Sequence, residues 1–366
     1  MTTRALLAPL AHGFVRARTH AWPSHSRLFA VGERTTWSVD EDARHLEETA
    51  RRLGYDVAPS RWARFATDQP VFLTSHFEAL QPRWTDSTLR LATAYLHGRP
   101  GTPGYPEFDR AYDALRSAPD RFSRIQVTHE EMRELVLEAG VESSSVHVIA
   151  IGIDIEHFPL VTPEFRAAAR AAFDLPADAF VVGSFQKDGV GWGEGLEPKL
   201  VKGPDILVAA LERVATEIPE LHVLLTGPAR GYVRGELERR GIAYRHTVAQ
   251  SRSELATAFN ALDAYVVASR QEGGPKGVLE ALASGVPLVS TRVGQASTVV
   301  RDGESGLLVD VDDVEAIANA ILRLYDDSGL RESFRAPGRA TAEQYAYERL
   351  DPAWAALLEG FVERHA

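Results

Sequence analysis

The chain has 366 residues, 45% of them apolar and 25% charged, which is the balance of a folded, soluble protein and a length that suits two domains. Its formal net charge of −11 argues against a phosphate-backbone footprint, so no nucleic acid is expected as a partner, although a local basic pocket remains allowed. Zero cysteines exclude disulfides and thiolate chemistry, no window approaches the roughly 20 apolar residues of a membrane span, and ALLAPLAHGFV is too short and interrupted for a signal peptide, so a cytoplasmic location without a transmembrane segment is the expectation.

In the first half, strands are expected at RLFAVGE (27–33), QPVFLTS (69–75), LRLATAYL (89–96), FSRIQVTH (122–129) and VHVIAIG (146–152). DEDARHLEETARRLG and HEEMRELVLEAG supply helices between them, which makes residues 1–153 an α/β domain. The aperiodic stretch around Gly152–Pro163 marks the junction.

From about residue 178 the alternation sharpens. FVVGSF (180–185), LHVLLTG (221–227), AYRHTV (243–248), AYVVAS (264–269), VPLVST (286–291) and GLLVD (306–310) are mostly continuous apolar runs, as strands covered on both faces should be. PDILVAALERVATEI opens with Pro204 at a first helical position and DDVEAIANAILRLYDD opens with acids suited to a helix N-terminus. Residues 154–340 therefore read as a second Rossmann-like domain. The remaining 341–366 is helical and follows a finished sheet, so it is expected to pack back on the first domain.

Chemistry concentrates in VVASRQEGGPKGVLEALASG, where a strand ends, a glycine loop follows and a helix begins near Gly277 and stops at Gly285. Helix amides and the positive end of the dipole suit an anion, and ligands of open parallel sheets bind at the carboxyl ends of strands. The loop residues Gly273, Gly274, Pro275, Lys276, Gly277 and Val278 thus form a candidate diphosphate cradle. Glu280, early in the helix, suits the vicinal hydroxyls of a ribose; Glu272, eight residues earlier, lies toward a transferred group. A sugar nucleotide has that shape.

The arrangement resembles the E-x7-E motif of the retaining GT-B-fold glycosyltransferases of family four, also called glycosyltransferase group 1. The resemblance runs over most of residues 122–325, through THEEMRELVLEAG, VIAIGIDIEHF, VVGSF, KGPDILVAAL, the E-x7-E segment and VGQASTVVRDGESGLLV. It implies two Rossmann-like domains facing across a cleft with a C-terminal helix crossing back, an N-terminal acceptor side and a C-terminal donor side. It also implies that the lysine of a Lys-Gly pair, here Lys202-Gly203, meets the donor diphosphate.

Departures from the family pattern are specific. Ser184 stands where the family usually has an arginine, and Lys187 is the nearest replacement charge. DGVGWGEGLEPKLV is longer than the usual turn and reads either as a mobile flap over the donor or as a tolerated surface insertion. Pro275 has no N–H to offer a donor sugar, so the ammonium of Lys276 is expected to serve in its place. Loops after Gly227 and around Arg245 and His246 are the expected walls of the base pocket.

On the acceptor side, LATAYLHGRPGTPG resembles the segment whose strand-end histidine faces the donor sugar, which selects His97, with Arg99 beside it and His76 of LTSHF as the competitor. The family's glycine-rich loop after the first strand is replaced by GERTTWSVDED, making Arg34, Thr35 and Trp37 the candidate acceptor contacts. Two Asp-x-Asp strings, at Asp40 and at Asp310, sit at helix starts and read as structural.

The resemblance implies retaining transfer of a sugar from a nucleotide-diphosphate sugar, with UDP or GDP as carrier, to a hydroxyl of a soluble small molecule or glycan. Glu272, His97, Lys202 and Lys187 are the expected catalytic set, without a metal or cofactor. The alternatives are a non-catalytic sugar-nucleotide-binding protein and a GT-B-fold epimerase or phosphorylase.

Overall fold

The structure, a computed structural model, describes residues 19–32, 38–84 and 88–364. Among them the chain divides into two compact units, one running through Ile151 and resuming at Tyr347, the other spanning Gly152–Ala346.

The first unit holds six described strands, β1 (Arg27–Val31), β2 (Asp56–Val57), β3 (Pro70–Leu73), β4 (Arg90–Ala94), β5 (Arg124–Val127) and β6 (Val146–Val148), in the order β2-β1-β3-β4-β5-β6. All their pairings are parallel. β2 was not anticipated, because two residues carry no periodicity.

The second unit contains β7 (Phe180–Ser184), β8 (Leu221–Thr226), β9 (Tyr244–Thr247), β10 (Ala264–Val267), β11 (Leu288–Thr291) and β12 (Leu307–Val309), ordered β12-β11-β10-β7-β8-β9 and again parallel. From β7 the chain steps outward to β8 and β9, then returns to the other side as β10. A topological switch therefore lies between β7 and β10, and the crevice outside the carboxyl ends at such a switch is where ligands of open parallel sheets bind.

Burial on both faces explains the unbroken apolar strands. Ala264 and Val266 of β10 join Leu207, Leu211, Ile317 and Ile321 from helices Pro204–Ala215 and Val314–Asp326 on one face. Tyr265 and Val267 join Phe259, Val278 and Leu282 from helices Arg252–Asn260 and Lys276–Ser284 on the other. Alternate residues point to opposite faces, so each strand serves two cores.

The C-terminal segment departs from the single helix expected over 341–366. Helix Ser328–Gln344 ends at Tyr345, a 3₁₀ turn covers Tyr347–Leu350, and a short helix, Asp351–Leu358, follows with Pro352 in its first turn. This last helix packs into the first unit. Arg52 grips Asp351 with two hydrogen bonds, at 2.8 and 2.5 Å, Arg90 donates to the Gly360 carbonyl at 2.8 Å, and Trp354 meets Phe72 edge-on.

Asp263, just before β10, is buried and accepts from Arg170 at 2.6 Å, Arg166 at 2.5 Å and the Val181 amide at 2.8 Å, which joins helix Pro163–Ala172 to β7. Replacing Asp263 with Ala strands the buried Arg170 guanidinium, a change of the kind that costs about 3–5 kcal/mol. Urea unfolding followed by circular dichroism is expected to show that loss; an unchanged midpoint would contradict this role for Asp263.

Candidate active site

The crevice is shaped by two glycines that let backbones approach closely. Gly203 adopts φ +61°, and a Cβ there would lie 1.9 Å from the Ala268 carbonyl oxygen, so only glycine lets the segment bearing Lys202 press against the end of β10. A Cβ at Gly277 would lie 2.2 Å from the Tyr265 hydroxyl, so glycine likewise allows the N-terminus of helix Lys276–Ser284 to settle over β10. Gly285, at φ +70°, closes that helix as the left-handed C-cap expected of it.

These approaches bring Lys202 and Glu272 together: the ammonium donates to one carboxylate oxygen at 2.6 Å, and Ser269 Oγ donates to the other at 2.9 Å. Ser269 is held in turn by Thr291, whose hydroxyl donates to its carbonyl at 2.7 Å, and Gln186 fixes the Lys202 carbonyl at 2.7 Å. Glu272 is buried and Lys202 one-fifth exposed, so the pair sits at a surface with its carboxylate inward.

Glu280 lies one turn into the helix, later than the first-turn placement the sequence suggested, because the helix begins at Lys276. Its carboxylate is buried and accepts from Arg252 at 2.7 Å. Burial pushes its pKa above the usual carboxylate range, while Arg252 and then Lys276 oppose that shift. Lys276 thus acts electrostatically on Glu280, four residues along the helix. Arg252 was missed in the sequence. A signal was present: it is the first residue of helix Arg252–Asn260, after the Ser251 cap, where a cation opposes the helix dipole and so asks for another reason to be there.

Lys187 approaches the same crevice. Burial lowers its pKa and the like charge of Lys202 lowers it further, so two ammonium groups lie within each other's field. The Lys187 ammonium donates to the Gly189 carbonyl at 3.3 Å and lies 4.6 Å from the centre of the Trp192 ring.

The insertion after Lys187 is a docked hairpin. Lys199 donates to the Asp188 carbonyl and Val190 to that of Glu197, closing the hairpin, while Gly231 and Tyr232 donate to Glu194 and Gly195 at 2.7 and 2.8 Å. Gly189 and Gly195 press so closely on Ala229 that a Cβ on either would fall within 2.3 Å of its carbonyl oxygen. Under the hairpin, Arg230 and Asp188 form a fully buried ion pair at 2.9 Å. Ser184, at the expected arginine position, is buried and presents its carbonyl to Arg230 at 2.6 Å.

In the glycine loop, the Gly273 carbonyl accepts from Gln295 at 2.8 Å, Gly274 is half-buried, and Pro275 precedes the helix without a side-chain cap. The Val278 amide donates to the Pro275 carbonyl at 2.9 Å within the first turn of the helix. At the end of β8, Gly227 has φ +89° and its carbonyl bonds His246 Nε2 at 2.7 Å; Arg245 is exposed. His246 is kept below its usual pKa chiefly by burial. Asp312 binds Arg270, which also grips Asp205, in keeping with a structural reading of that Asp-x-Asp string. Among the described residues no three His, Asp or Glu side chains converge as a metal site requires.

In the first unit, His97 is half-buried in an aromatic group with Phe77, Phe108 and His76. His76 is buried and stacked on Tyr95, with centroids 4.1 Å apart, and desolvation holds its pKa well below the usual value. That is the setting of a neutral, packed imidazole. Arg99 is exposed and pairs with Glu131. Arg34, Thr35 and Trp37 lie outside the described residues.

Residues 193–327 match the family model of glycosyl transferases group 1. That segment, which lies within the second unit, belongs to the group. It is 30% identical over 250 residues to the D-inositol 3-phosphate glycosyltransferase of Xylanimonas cellulosilytica, an alignment spanning 64% of this chain and 55% of the relative. The enzyme of the same name from Mycolicibacterium smegmatis is 33% identical over 237 residues, 62% of this chain and 50% of the relative. The chain thus spans about half the length of these relatives. By structure it resembles Anabaena HepE in complex with UDP and glucose, with TM-score 0.72, 16% identity and coverage of 92% of this chain and 99% of HepE. The sucrose-phosphate synthase of Thermosynechococcus elongatus superposes with TM-score 0.65 at 20% identity, over 87% of this chain and 77% of the synthase. The fold is therefore the two-domain GT-B architecture.

A carboxyl group held above its normal pKa binds its proton more readily in the folded than in the unfolded state. Its contribution to stability therefore falls as pH rises from the ordinary carboxylate range through the raised value. Glu280→Gln is expected to improve in melting temperature relative to the unsubstituted chain across that rise. A difference that stays flat with pH would show that Glu280 ionises normally.

Proposed function

We propose that the protein transfers a sugar, with retention of anomeric configuration, from UDP-sugar to a hydroxyl of a soluble small molecule or glycan. The single observation that carries this reading is the pairing of Lys202 with Glu272, with Lys187 in the field of Lys202, on the loops that follow β7 and β10 and lead into helix Lys276–Ser284. Two cations and a helix dipole suit a diphosphate, and the carboxylate beside them suits sugar hydroxyls.

In this reading the second unit binds the donor and the first binds the acceptor. Glu280 takes the ribose hydroxyls, with Arg252 holding its carboxylate in place. Gly227, Arg245 and His246 border the base, and His97 meets the transferred sugar. UDP is preferred over GDP because HepE, a neighbour in fold, was captured with UDP. A reducing, cytoplasmic setting, suggested by the absence of cysteine, belongs to the same reading.

The chemical step needs negative charge stabilised on the leaving diphosphate. Lys202 is positioned to supply that stabilisation, because an incoming phosphate competes with Glu272 for its ammonium and frees the carboxylate to accept from the sugar. The leaving phosphate takes the acceptor proton as the new glycosidic bond forms on the face it vacates. Lys187 and Lys202 supply charge that a divalent ion supplies in other transferases, so chelation is expected to leave turnover intact.

Removing Lys202 is expected to lower kcat by roughly 10²–10³-fold, the scale found when one preorganised charge-stabilising group is lost. Steady-state assay of UDP release with candidate sugar and cyclitol acceptors, with and without EDTA, provides the measurement. UDP-sugar binding with no transfer to any acceptor would favour a non-catalytic sugar-nucleotide binder. Acceptor-free epimerisation or phosphorolysis would replace transfer by those reactions.

A further inference from the structure

We infer that Arg230 is a positioning residue for the donor diphosphate, acting through Lys187. The inference rests on the donor-site reading above and extends it to a group that no ligand can touch, since the Arg230 side chain is fully buried.

Three hydrogen bonds define what Arg230 holds. Its Nη1 donates to the carbonyls of Ser184 at 2.6 Å and Thr226 at 2.9 Å, the last residues of β7 and β8. Its Nε donates to Asp188 Oδ1 at 2.9 Å. One planar guanidinium thus ties two strand ends to the residue that follows Lys187 directly in the chain. Asp188 is also the root of the hairpin, because its carbonyl accepts from Lys199 at 2.7 Å. Fixing Asp188 fixes where the backbone of Lys187 leaves β7, and so where its ammonium can reach.

The surroundings point the same way. Arg230 sits between Ala229, which has φ +56°, and Gly231, whose amide bonds the hairpin at Glu194. Left-handed backbone at a non-glycine residue is a strained choice, kept where neighbouring structure demands it. Arg230 Nη2, Asp188 Oδ2 and Ser184 Oγ are buried without a hydrogen-bond partner. A network this incompletely satisfied is a poor way to gain stability alone, and an apolar cluster would serve that end better. Ser184 gives the network its logic: the short side chain leaves space under the hairpin, and a guanidinium from the neighbouring loop organises the strand end from within.

The test is calorimetric titration of UDP into the full chain and into Arg230→Lys, Asp188→Asn, Lys187→Ala and the Arg230→Lys/Lys187→Ala double variant. Glu280→Ala serves as the donor-site control, and uridine affinity is read by ligand-observed NMR. Lysine keeps the charge at 230 but cannot hold all three acceptors at once. Arg230→Lys is expected to lose roughly tenfold in UDP affinity, as coupled neighbours do, to leave uridine affinity unchanged and to lose no more when Lys187 is already Ala. Asp188→Asn, which leaves the side-chain shape intact, is expected to repeat the pattern and stands in if Arg230→Lys fails to fold. Additive losses in the double variant, or equal losses for UDP and uridine, would overturn the inference in favour of an independent or merely structural role. UDP binding by the unsubstituted chain that falls with Glu280→Ala but ignores both Arg230 and Asp188 removes this inference alone. No UDP binding at all removes the donor reading and this inference with it.

Discussion

Lys202 and Glu272 lie on separate loops seventy residues apart in sequence and meet at 2.6 Å, and much of the second unit is arranged to allow it. The constraint is steric before it is electrostatic. Lys202 reaches the end of β10 because Gly203 lets its backbone lie against Ala268, and Glu272 is turned inward by Ser269, itself held from β11 by Thr291. A parallel sheet with a switch between β7 and β10 is what brings those two loops side by side. Such a pair is a poor source of net stability, because desolvating the carboxylate offsets most of the Coulomb attraction. In the proposed reading its value is that a competing anion can take over the lysine.

The same economy of charge recurs around the crevice. Glu280 is buried against a partly exposed Arg252, Asp188 is buried with Arg230, and Lys187 lies in the field of Lys202 with an aromatic ring beside it. Each is a local arrangement that a stability-optimised fold would avoid, and they belong to the loops and helices that follow the strands of one sheet. In the proposed reading that clustering, more than any single pair, is what a ligand site would require.

The sequence was most legible where physics is repetitive. Strands buried on both faces must be apolar throughout, so β7, β8, β10, β11 and β12 stood out as runs, and Pro204 and Gly285 marked helix ends through backbone restrictions visible in any context. Legibility failed where length or partners decided. β2 is two residues long, and the C-terminal helix breaks at Tyr345 although the helical pattern continues. Within the site, Lys202, Glu272 and Glu280 were readable from spacing and motif. Arg230 was not, because an arginine's role depends on which carboxylate the fold brings to it, and Arg252 was signalled only by a cation standing against the helix dipole.

The central claim is that the Lys202–Glu272 pair opens to receive a diphosphate. A crystal structure of the protein with UDP tests it most directly. The account predicts the diphosphate over the N-terminus of helix Lys276–Ser284, the Lys202 ammonium moved from Glu272 onto a phosphate oxygen, and the ribose hydroxyls on Glu280. UDP bound elsewhere, or bound here with the Lys202–Glu272 contact still closed and the phosphates facing solvent, would contradict it.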